Sequence, residues 1–306
     1  MMKTAVVTGA SGFIGGALSR ELLQKGVKVY AIDISEEKIK PFIQYGDVIP
    51  VKAYFEDYLH LENAIKDDID VFYHFAFEGG FGGDSLKNYE LQLKNTKYTC
   101  DAVTLASVIN SKKFIFSSTV NEIEVKKYLD QDYFVPRYTC IYSAGKIAAE
   151  IIGKTLAYNK GMQFISGLIA MPYGEKNHAK NLPNIVIKNL LQKIPSKLIT
   201  GNNLYDLIYI EDVANAFYHI GESGKNMKSY YVGHRKLRTF REIVTEIRDI
   251  LDPDVELRFG EYPDNLDMDY SLVDLDALYN DAGFECKADF RESILKTAEW
   301  IKENLK

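Results

Sequence analysis

The chain has 306 residues, of which 46% are hydrophobic and 26% are charged, and 37 Lys and Arg against 43 Asp and Glu give a formal net charge of −6. This balance is typical of a globular protein with a large core, and the lack of a dense basic run argues against a nucleic-acid-binding surface. Cys100, Cys140 and Cys286 are widely spaced, and no run of about twenty apolar residues is present. The sequence therefore predicts no disulfide framework, no metal site and no membrane span, and it favours a cytoplasmic protein.

A glycine-rich turn follows the first predicted strand, residues 3–8, and opens into a helix that we expect to end near Lys25. Small residues at such a turn let the backbone approach a pyrophosphate, and the N-terminus of the helix favours the negative charge of that group. The turn therefore predicts a dinucleotide site. Its candidate contacts are Gly9, Ser11, Gly12, Phe13, Ile14 and Gly15.

Asp33 ends the second predicted strand, residues 27–33. A carboxylate at that place can accept hydrogen bonds from a ribose diol and repels a 2′-phosphate, so it favours NAD over NADP. An ordinary turn aspartate is the alternative interpretation. A third strand is predicted at residues 47–51 and a short helix at residues 61–67.

Residues 70–76 form a nearly continuous apolar run, as expected for a strand that is buried on both faces. We interpret His74 within this run as a packed side chain and not as a ligand or a base. The glycine-rich loop at residues 78–83 is either a close-approach loop at the cofactor or an ordinary connection. A long helix is predicted at residues 85–110, and a fifth strand at residues 113–116.

Three hydroxyl side chains follow the fifth strand, namely Ser117, Ser118 and Thr119. Parallel sheets place their ligands beyond the carboxyl ends of the strands, so these hydroxyls can position a reacting oxygen. Ordinary turn chemistry is the alternative. The neighbouring Tyr142 favours the functional interpretation.

Tyr142 and Lys146 stand one helical turn apart on a helix predicted at residues 139–158, so both can lie over the same face. A cation near a phenol favours the phenolate, which suits the pair to acid/base chemistry. The pair alone is a weak signal, because a solvated helix face gives the same pattern. The glycine turn, Asp33 and Thr119 strengthen it.

Strands alternate with helices through a sixth strand at residues 164–169, which predicts an α/β fold with a doubly wound parallel sheet of the Rossmann type. We expect residues 1–170 to form an NAD-binding domain. Residues 171–306 are expected to form a smaller α/β substrate-binding lobe that is partly interleaved with the first domain. The elements predicted in this lobe are a strand at residues 207–210 and helices near residues 183–193, 211–221, 239–250 and 290–305.

These motifs together resemble the extended short-chain dehydrogenase/reductase family, the NAD-dependent sugar epimerases and dehydratases, over nearly the full length. The residues that carry the resemblance are TGASGFIG at 8–15, Asp33, His74-Phe75-Ala76, Asn95, Ser117-Ser118-Thr119, YSAGK at 142–146 with Glu150, Tyr209-Ile210-Glu211-Asp212-Val213-Ala214 and Tyr231-Val232-Gly233. Their order and spacing are specific for the family, but not for one reaction.

By this resemblance, Tyr142 is the acid/base, and Lys146 binds the nicotinamide ribose and lowers the pKa of the phenol. Thr119 or Ser118 hydrogen-bonds the reacting oxygen; counting forward from the strand favours Thr119, whereas counting back from Val120 favours Ser117. The further cofactor contacts that it implies are Asp57, Phe75, Ala76, Asn95 and Ser117. The substrate contacts that it implies are Glu78, Thr119, Met171, Tyr173 and Tyr205.

Several positions depart from the family pattern. Thr119-Val120-Asn121 stands where family dehydratases have Thr-Asp-Glu, which disfavours elimination of water in the usual manner. Met171 and Tyr205 replace an Asn and an Arg that commonly meet a nucleotide diphosphate, and neither can imitate the guanidinium fork. The candidate replacements are Lys176, Lys180, Lys188, Arg235 and Arg238.

The leading hypothesis is an NAD-dependent oxidoreductase or epimerase that acts on a small-molecule sugar, with a nucleotide sugar as the expected substrate. An NAD(P)-dependent reductase of a small non-nucleotide carbonyl compound is the first alternative. A dinucleotide-sensing protein without catalysis is the second. A homodimer is expected by resemblance, because the helices at residues 85–110 and 139–158 resemble those of a four-helix dimer interface.

Overall fold

The computed structural model describes residues 1–79, 83–137, 139–263 and 268–304. The glycine-rich loop predicted at residues 78–83 therefore lies partly outside the described residues, and so does residue 305 of the predicted last helix. In the described part of the chain, no helix is both long enough and apolar enough to cross a bilayer.

The strands are β1 Thr4–Thr8, β2 Lys28–Asp33, β3 Val48–Lys52, β4 Val71–His74, β5 Lys113–Thr119, β6 Gln163–Ile169, β7 Met171–Tyr173, β8 Ser196–Leu198, β9 Leu204–Tyr205, β10 Leu207–Tyr209, β11 Ser229–Val232, β12 Arg238–Thr239 and β13 Leu257–Phe259. The α-helices are α1 Phe13–Gln24, α2 Glu36–Ile39, α3 Tyr89–Val108, α4 Glu122–Leu129, α5 Cys140–Asn159, α6 Leu182–Leu191, α7 Ile210–Ser223, α8 Phe240–Leu251, α9 Ala277–Ala282 and α10 Phe290–Glu303. Short 3-10 helices are Lys40–Tyr45, Phe55–His60, Glu62–Ala64, Gly83–Lys87 and Tyr270–Leu272.

Seven strands form one parallel sheet in the order β11-β6-β5-β4-β1-β2-β3, which confirms the predicted doubly wound α/β fold. Helices cover both faces, each over its own apolar core. One core joins Val7 of the sheet to Leu18 of α1 and Phe217 of α7. The other joins Phe114 of the sheet to Ala149 of α5 and to residues of α3. This sandwich aligns the carboxyl ends of β1, β4 and β5 along one edge.

The sheet has one strand more than predicted. The seventh, β11, pairs with β6 from Ser229 opposite Ser166 to Val232 opposite Ile169. This short segment comes from the part of the chain that we assigned to the second lobe, so the sheet draws on residues from both sides of position 170. The division of the chain at that position stays a prediction.

Three predicted elements change in the structure. The helix expected at residues 61–67 is reduced to the 3-10 helix Glu62–Ala64, and Asp67 accepts a hydrogen bond from Tyr30 at 2.8 Å and pairs with Lys28 at 2.6 Å. The helix expected at residues 85–110 begins only after Asn88, whose side chain caps α3 by accepting from Leu91 N at 3.0 Å. Strand β5 runs on through Thr119, so the three hydroxyls lie in the strand itself.

Candidate functional site

A cleft of about 910 Å³ lies along the carboxyl edge of the sheet. The turn before α1 forms one side, and the ends of β4 and β5, helix α5 and the segment after β6 form the remainder. This is the position at which open parallel sheets bind ligands. The predicted site residues that line the cleft are Gly9, Ser11, Gly12, Phe13, Ile14, Gly15, Asp33, Phe75, Ala76, Glu78, Ser117, Ser118, Thr119, Tyr142, Lys146 and Met171.

The turn before α1 is sterically restricted to glycine at two positions. Gly9 has a φ of +66°, and a Cβ there would lie 2.9 Å from Ala76 N. A Cβ on Gly15 would lie 2.2 Å from Gly9 O, so the helix can approach the turn only with glycine at that position. The two glycines therefore let the turn, the start of α1 and the segment after β4 pack closely together. We call residues 9–15 the glycine cradle, because such a close turn before a helix suits a pyrophosphate site.

Asp33 lies at the end of β2 and faces the same cleft. Its Oδ2 accepts a hydrogen bond from Ser11 N at 2.9 Å, which ties the carboxylate to the glycine turn. The carboxylate is thus fixed beside the place where a dinucleotide would run, and its remaining lone pairs can accept hydrogen bonds from a ribose diol.

The phenol of Tyr142 and the hydroxyl of Thr119 both line the cleft, near enough for Thr119 to act on the pKa of the phenol. The tyrosine is only 8% exposed, and its ring packs edge-on against Phe77 with the ring centroids 5.8 Å apart. Burial raises the pKa of this phenol, the charge of Glu122 raises it further, and the hydroxyl of Thr119 lowers it. Counting forward from the strand favoured Thr119, and counting back from Val120 favoured Ser117; Thr119 is the hydroxyl that acts on the pKa of the phenol.

Lys146 lies one turn further along α5 and is buried. Its Nζ donates to the carbonyl oxygen of Ser117 at 2.8 Å and lies 3.7 Å from the centroid of the Phe77 ring. Burial lowers the pKa of this lysine to about 7, whereas Glu122 raises it. Burial is the largest effect on the pKa of Tyr142 and raises it, so the expected lowering of that pKa by Lys146 stays a prediction.

Glu122 is a buried carboxyl group beside the site that the sequence analysis missed. It is 1% exposed, is hydrogen-bonded to the hydroxyl of Ser118, and lies 3.4 Å from Lys126 Nζ. Burial raises its pKa to about 8, and the charge of Glu150 acts in the same direction. The only sequence signal was its position three residues after Thr119, the last of the three hydroxyl side chains.

Four predicted contacts are not among the described residues that line the cleft. Asn95 Nδ2 donates to Glu78 O at 3.0 Å and its Oδ1 accepts from Glu78 N at 2.8 Å, so it supports the backbone of a lining residue. Asp57 accepts from Tyr54 N at 2.8 Å and caps a 3-10 helix. These two side chains are therefore held by local backbone groups.

The other two displaced contacts belong to the second half of the chain. Tyr173 is buried, and its hydroxyl is hydrogen-bonded to Ser293 Oγ at 2.6 Å. Tyr205 lines a separate cavity of about 120 Å³ together with Arg137, and Met171 borders both this cavity and the cleft. His74, as predicted, is packed: its Nδ1 lies 2.8 Å from Thr8 Oγ1, and burial lowers its pKa to about 3.

The cations of the cleft differ from those expected. Of the five candidate replacements for the missing Arg and Asn, only Lys176 lines it, whereas Arg235 pairs with Asp276 and Arg238 pairs with Glu246. Two cations that the sequence analysis did not select line it as well. They are Arg20 and Lys38.

Known proteins share this sequence pattern and this fold. The family model described as NAD dependent epimerase/dehydratase family matches residues 5–233. The chain is 25% identical over 328 aligned residues to a trifunctional UDP-glucose 4,6-dehydratase/UDP-4-keto-6-deoxy-D-glucose 3,5-epimerase/UDP-4-keto-L-rhamnose-reductase of Arabidopsis thaliana, which covers 99% of this chain and 48% of that protein. The chain thus spans about half the length of this relative.

Solved structures show the same fold at low sequence identity. The UDP-glucose 4-epimerase of Thermotoga maritima with UDP-glucose has a TM-score of 0.80 and 20% identity, covering 99% of this chain and 100% of that one. The Bordetella bronchiseptica enzyme WbmF in complex with NAD+ has a TM-score of 0.78 and 20% identity, covering 99% and 93%.

The cofactor that fits these observations is NAD. The glycine cradle, the carboxylate of Asp33 and the buried Tyr142 and Lys146 lie in one cleft, and the solved neighbours include an NAD+ complex. The extent of the family match decides the classification. The chain belongs to the NAD dependent epimerase/dehydratase family, the extended short-chain dehydrogenases/reductases.

Proposed function

We propose that the protein is an NAD-dependent oxidoreductase or epimerase that acts on a nucleotide sugar. The observation that carries this proposal is that Tyr142, Lys146 and Thr119 line the same cleft as the glycine cradle. NAD, when bound, supplies the acceptor and the donor of a hydride. The protein then has to orient the sugar and manage one proton.

The residues of the cleft divide this work. Tyr142 takes the proton of a sugar hydroxyl while the carbon loses hydride, and returns a proton when the carbonyl is reduced. Thr119 holds the phenol and the reacting oxygen in one hydrogen-bonded group. Lys146, fixed on Ser117 O at 2.8 Å, supplies positive charge one turn away. A keto intermediate that is reduced on its other face gives an epimer; one that is released gives net oxidation.

The nucleotide-sugar substrate is supported by the relatives, whose names state UDP-glucose and its keto-deoxy derivatives as what they bind or convert. A 4,6-dehydratase is less well supported, because Val120 and Asn121 line the cleft where family dehydratases have an acid pair. The replacements at Met171 and Tyr205 favour a second candidate, a reductase of a small non-nucleotide carbonyl compound. A dinucleotide sensor without catalysis is disfavoured by the buried Tyr142 and Lys146.

A thermal-shift screen tests cofactor and substrate class together. NAD should raise the melting temperature more than NADP, and UDP-sugars or dTDP-sugars should raise it further in the presence of NAD, because a ligand of the native state stabilises it. No effect of any nucleotide beyond that of NAD would favour the small-carbonyl reductase.

Turnover with the stabilising ligand then tests the chemistry. Tyr142→Phe should reduce turnover by at least about 100-fold without changing NAD binding, because it removes the proton carrier. Tyr158→Phe, an exposed tyrosine of the same helix, is the matched control and should leave turnover unchanged. A sustained change in reduced-nicotinamide absorbance indicates an oxidoreductase, whereas product without such a change indicates an epimerase. Turnover that survives Tyr142→Phe would contradict the assignment.

Three broader expectations belong to the same proposal. We propose a cytoplasmic enzyme, a homodimer formed through α3 and α5, and a functional division near residue 170 into a cofactor-binding part and a substrate-binding part. The outward face of α3 and α5 carries exposed apolar side chains, which supports the second of these.

A further inference from the structure

Arg20 lies on the side of α1 that faces the cleft. Phe13, Gly16 and Arg20 are three and four residues apart, so they share one face of the helix, and all three line the cleft. Long side chains on a helix lean towards its N-terminus, which directs the guanidinium back along this face. The cation is thus carried towards the end of α1 that favours negative charge.

Lys176 reaches the same cleft from the loop that follows β7. Its φ of +68° is a left-handed conformation that costs energy for a residue other than glycine. Side-chain amides hold the loop in this shape: Asn184 Nδ2 donates to Asn177 O and to Ala179 O, each at 2.8 Å, and Asn177 Oδ1 accepts from Ala179 N at 3.0 Å. The position of Lys176 is therefore built into the fold.

The two cations repel each other, and the neighbouring carboxylate of Glu175 balances them only in part. Partial burial and the charge of Arg20 lower the pKa of Lys176, whereas the charge of Glu175 raises it. Within residues 1–79, 83–137, 139–263 and 268–304, neither side chain has an ion pair. The nearby Glu175 faces the cleft as well, but its two oxygens accept from Tyr209 Oη at 3.1 and 2.8 Å. A bound anion would remove this repulsion.

The balance of charges in the cleft also favours a bound anion. The chain carries a net charge of −6, yet in the described part of the cleft the cations outnumber the carboxylates. The cations are Arg20, Lys38, Lys146 and Lys176, and the carboxylates are Asp33, Glu78 and Glu175. The cleft is thus less acidic than the protein as a whole, which favours a multiply charged anion there over other parts of the surface.

We propose that Arg20 and Lys176 form a phosphate clamp that closes over the α1 side of the cleft. The ligand is a phosphoryl group, which either belongs to the dinucleotide or to the diphosphate of a sugar nucleotide; in the second case the inference rests on the proposed function. Arg20 supplies planar paired donors and Lys176 a point charge, and together they offer the donors that Met171 and Tyr205 do not.

The test measures dissociation constants by calorimetry for wild type, Arg20→Gln and Lys176→Gln. The ligands are NAD, UDP in the presence of NAD, and adenosine as a probe without phosphate. Each substitution should weaken NAD or UDP about tenfold, as expected for loss of a hydrogen bond to a charged group, and should flatten the salt dependence of that affinity. Adenosine binding should not change. Lys180→Gln, an exposed lysine of the same loop outside the cleft lining, is the matched control.

The outcomes separate the sources of the phosphate. Weaker NAD binding assigns the clamp to the dinucleotide, and weaker UDP binding assigns it to the sugar nucleotide. Unchanged affinity for both, in variants whose melting temperature without ligand equals that of wild type, overturns the clamp. A wild-type protein that binds NAD but no uridine nucleotide contradicts only the nucleotide-sugar proposal, and the NAD measurement then decides the clamp. A wild-type protein that binds neither overturns both.

Discussion

Burial acts in opposite directions on the two charged side chains that lie next to Tyr142. It raises the pKa of Glu122 to about 8, and it lowers the pKa of Lys146 to about 7. Each charge also favours the other, because Lys146 lowers the pKa of Glu122 and Glu122 raises that of Lys146. A change in pH across the neutral range therefore alters the charge beside the phenol.

Glu122→Gln should make the protein more stable than wild type at alkaline pH. The pKa of the carboxyl is about 8 in the fold against 4.5 ordinarily, so the stability it contributes below about pH 4.5 is lost as the pH rises to about 8. Glutamine does not titrate and can still hydrogen-bond Ser118. Urea titrations measure the free energy of unfolding of the variant and of wild type. The difference between the two should increase in favour of the variant by on the order of 2 kcal/mol from pH 5 to pH 8.

An exposed glutamate supplies the control for this measurement. Glu62 lies in a short 3-10 helix at the surface, and Glu62→Gln measures the effect of the same substitution at an exposed position. A difference between Glu122→Gln and wild type that is constant with pH would show that the carboxyl at position 122 does not carry a raised pKa.

Sequence spacing located Tyr142, Lys146 and Asp33 because their roles depend on local geometry, one helical turn or one strand end. Sequence spacing did not identify Glu122 and Arg20, for a physical reason. A carboxyl group becomes buried, and a guanidinium comes to line a cleft, through neighbours that are distant in the chain, and no local pattern encodes them.

At the scale of elements, long periodic segments were predicted well and short ones were not. Helix α5 and strands β1 and β2 match their predicted bounds within about two residues, as expected for boundaries read from patterns. Strand β11 was not counted in the sheet, because a strand of four residues becomes part of a sheet only through its partner β6. Helix α4 was missed because its buried face consists of charged residues, Glu122 and Glu124, as well as Ile123.

Helix α5 approaches the sheet closely where Gly153 faces Phe164. A Cβ on Gly153 would lie 2.9 Å from Cε2 and 3.3 Å from Cζ of this ring. Gly153→Ala should therefore destabilise the protein by about 1–3 kcal/mol through overpacking, although alanine is the better helix former by about 1 kcal/mol. Denaturant unfolding measures the change.

A second glycine provides the comparison. A Cβ on Gly16 of α1 would meet no heavy atom closer than 3.4 Å, so Gly16→Ala should be neutral or stabilising by up to about 1 kcal/mol. The double variant Gly153→Ala, Phe164→Leu replaces the opposing ring by a smaller side chain. It should recover part of the lost stability, which appears as a favourable coupling energy in the double-mutant cycle. Equal effects of the two alanine substitutions would contradict the close packing of α5 on β6.

At the scale of the whole molecule, α3 and α5 leave apolar side chains on the surface. Leu93, Ile151 and Tyr158 are 66%, 61% and 74% exposed, although the opposite sides of both helices pack on the sheet. Contiguous exposed apolar surface on a folded domain commonly marks an interface. Two helices presented side by side can pack against the same pair of a second copy and bury this surface symmetrically.

Sedimentation equilibrium tests this arrangement. Wild type should have twice the chain mass of 34.8 kDa, and Ile151→Glu should shift the equilibrium to the single chain, because burying an unpaired carboxylate at an interface is costly. Leu129→Glu changes a leucine that is 74% exposed on α4, outside the proposed interface, and should remain a dimer. Both variants should show only the small change in melting temperature that is expected for a substitution at an exposed site. Loss of the dimer can then be distinguished from loss of the fold. A wild-type protein that sediments as one chain at micromolar concentration would exclude the α3 and α5 interface.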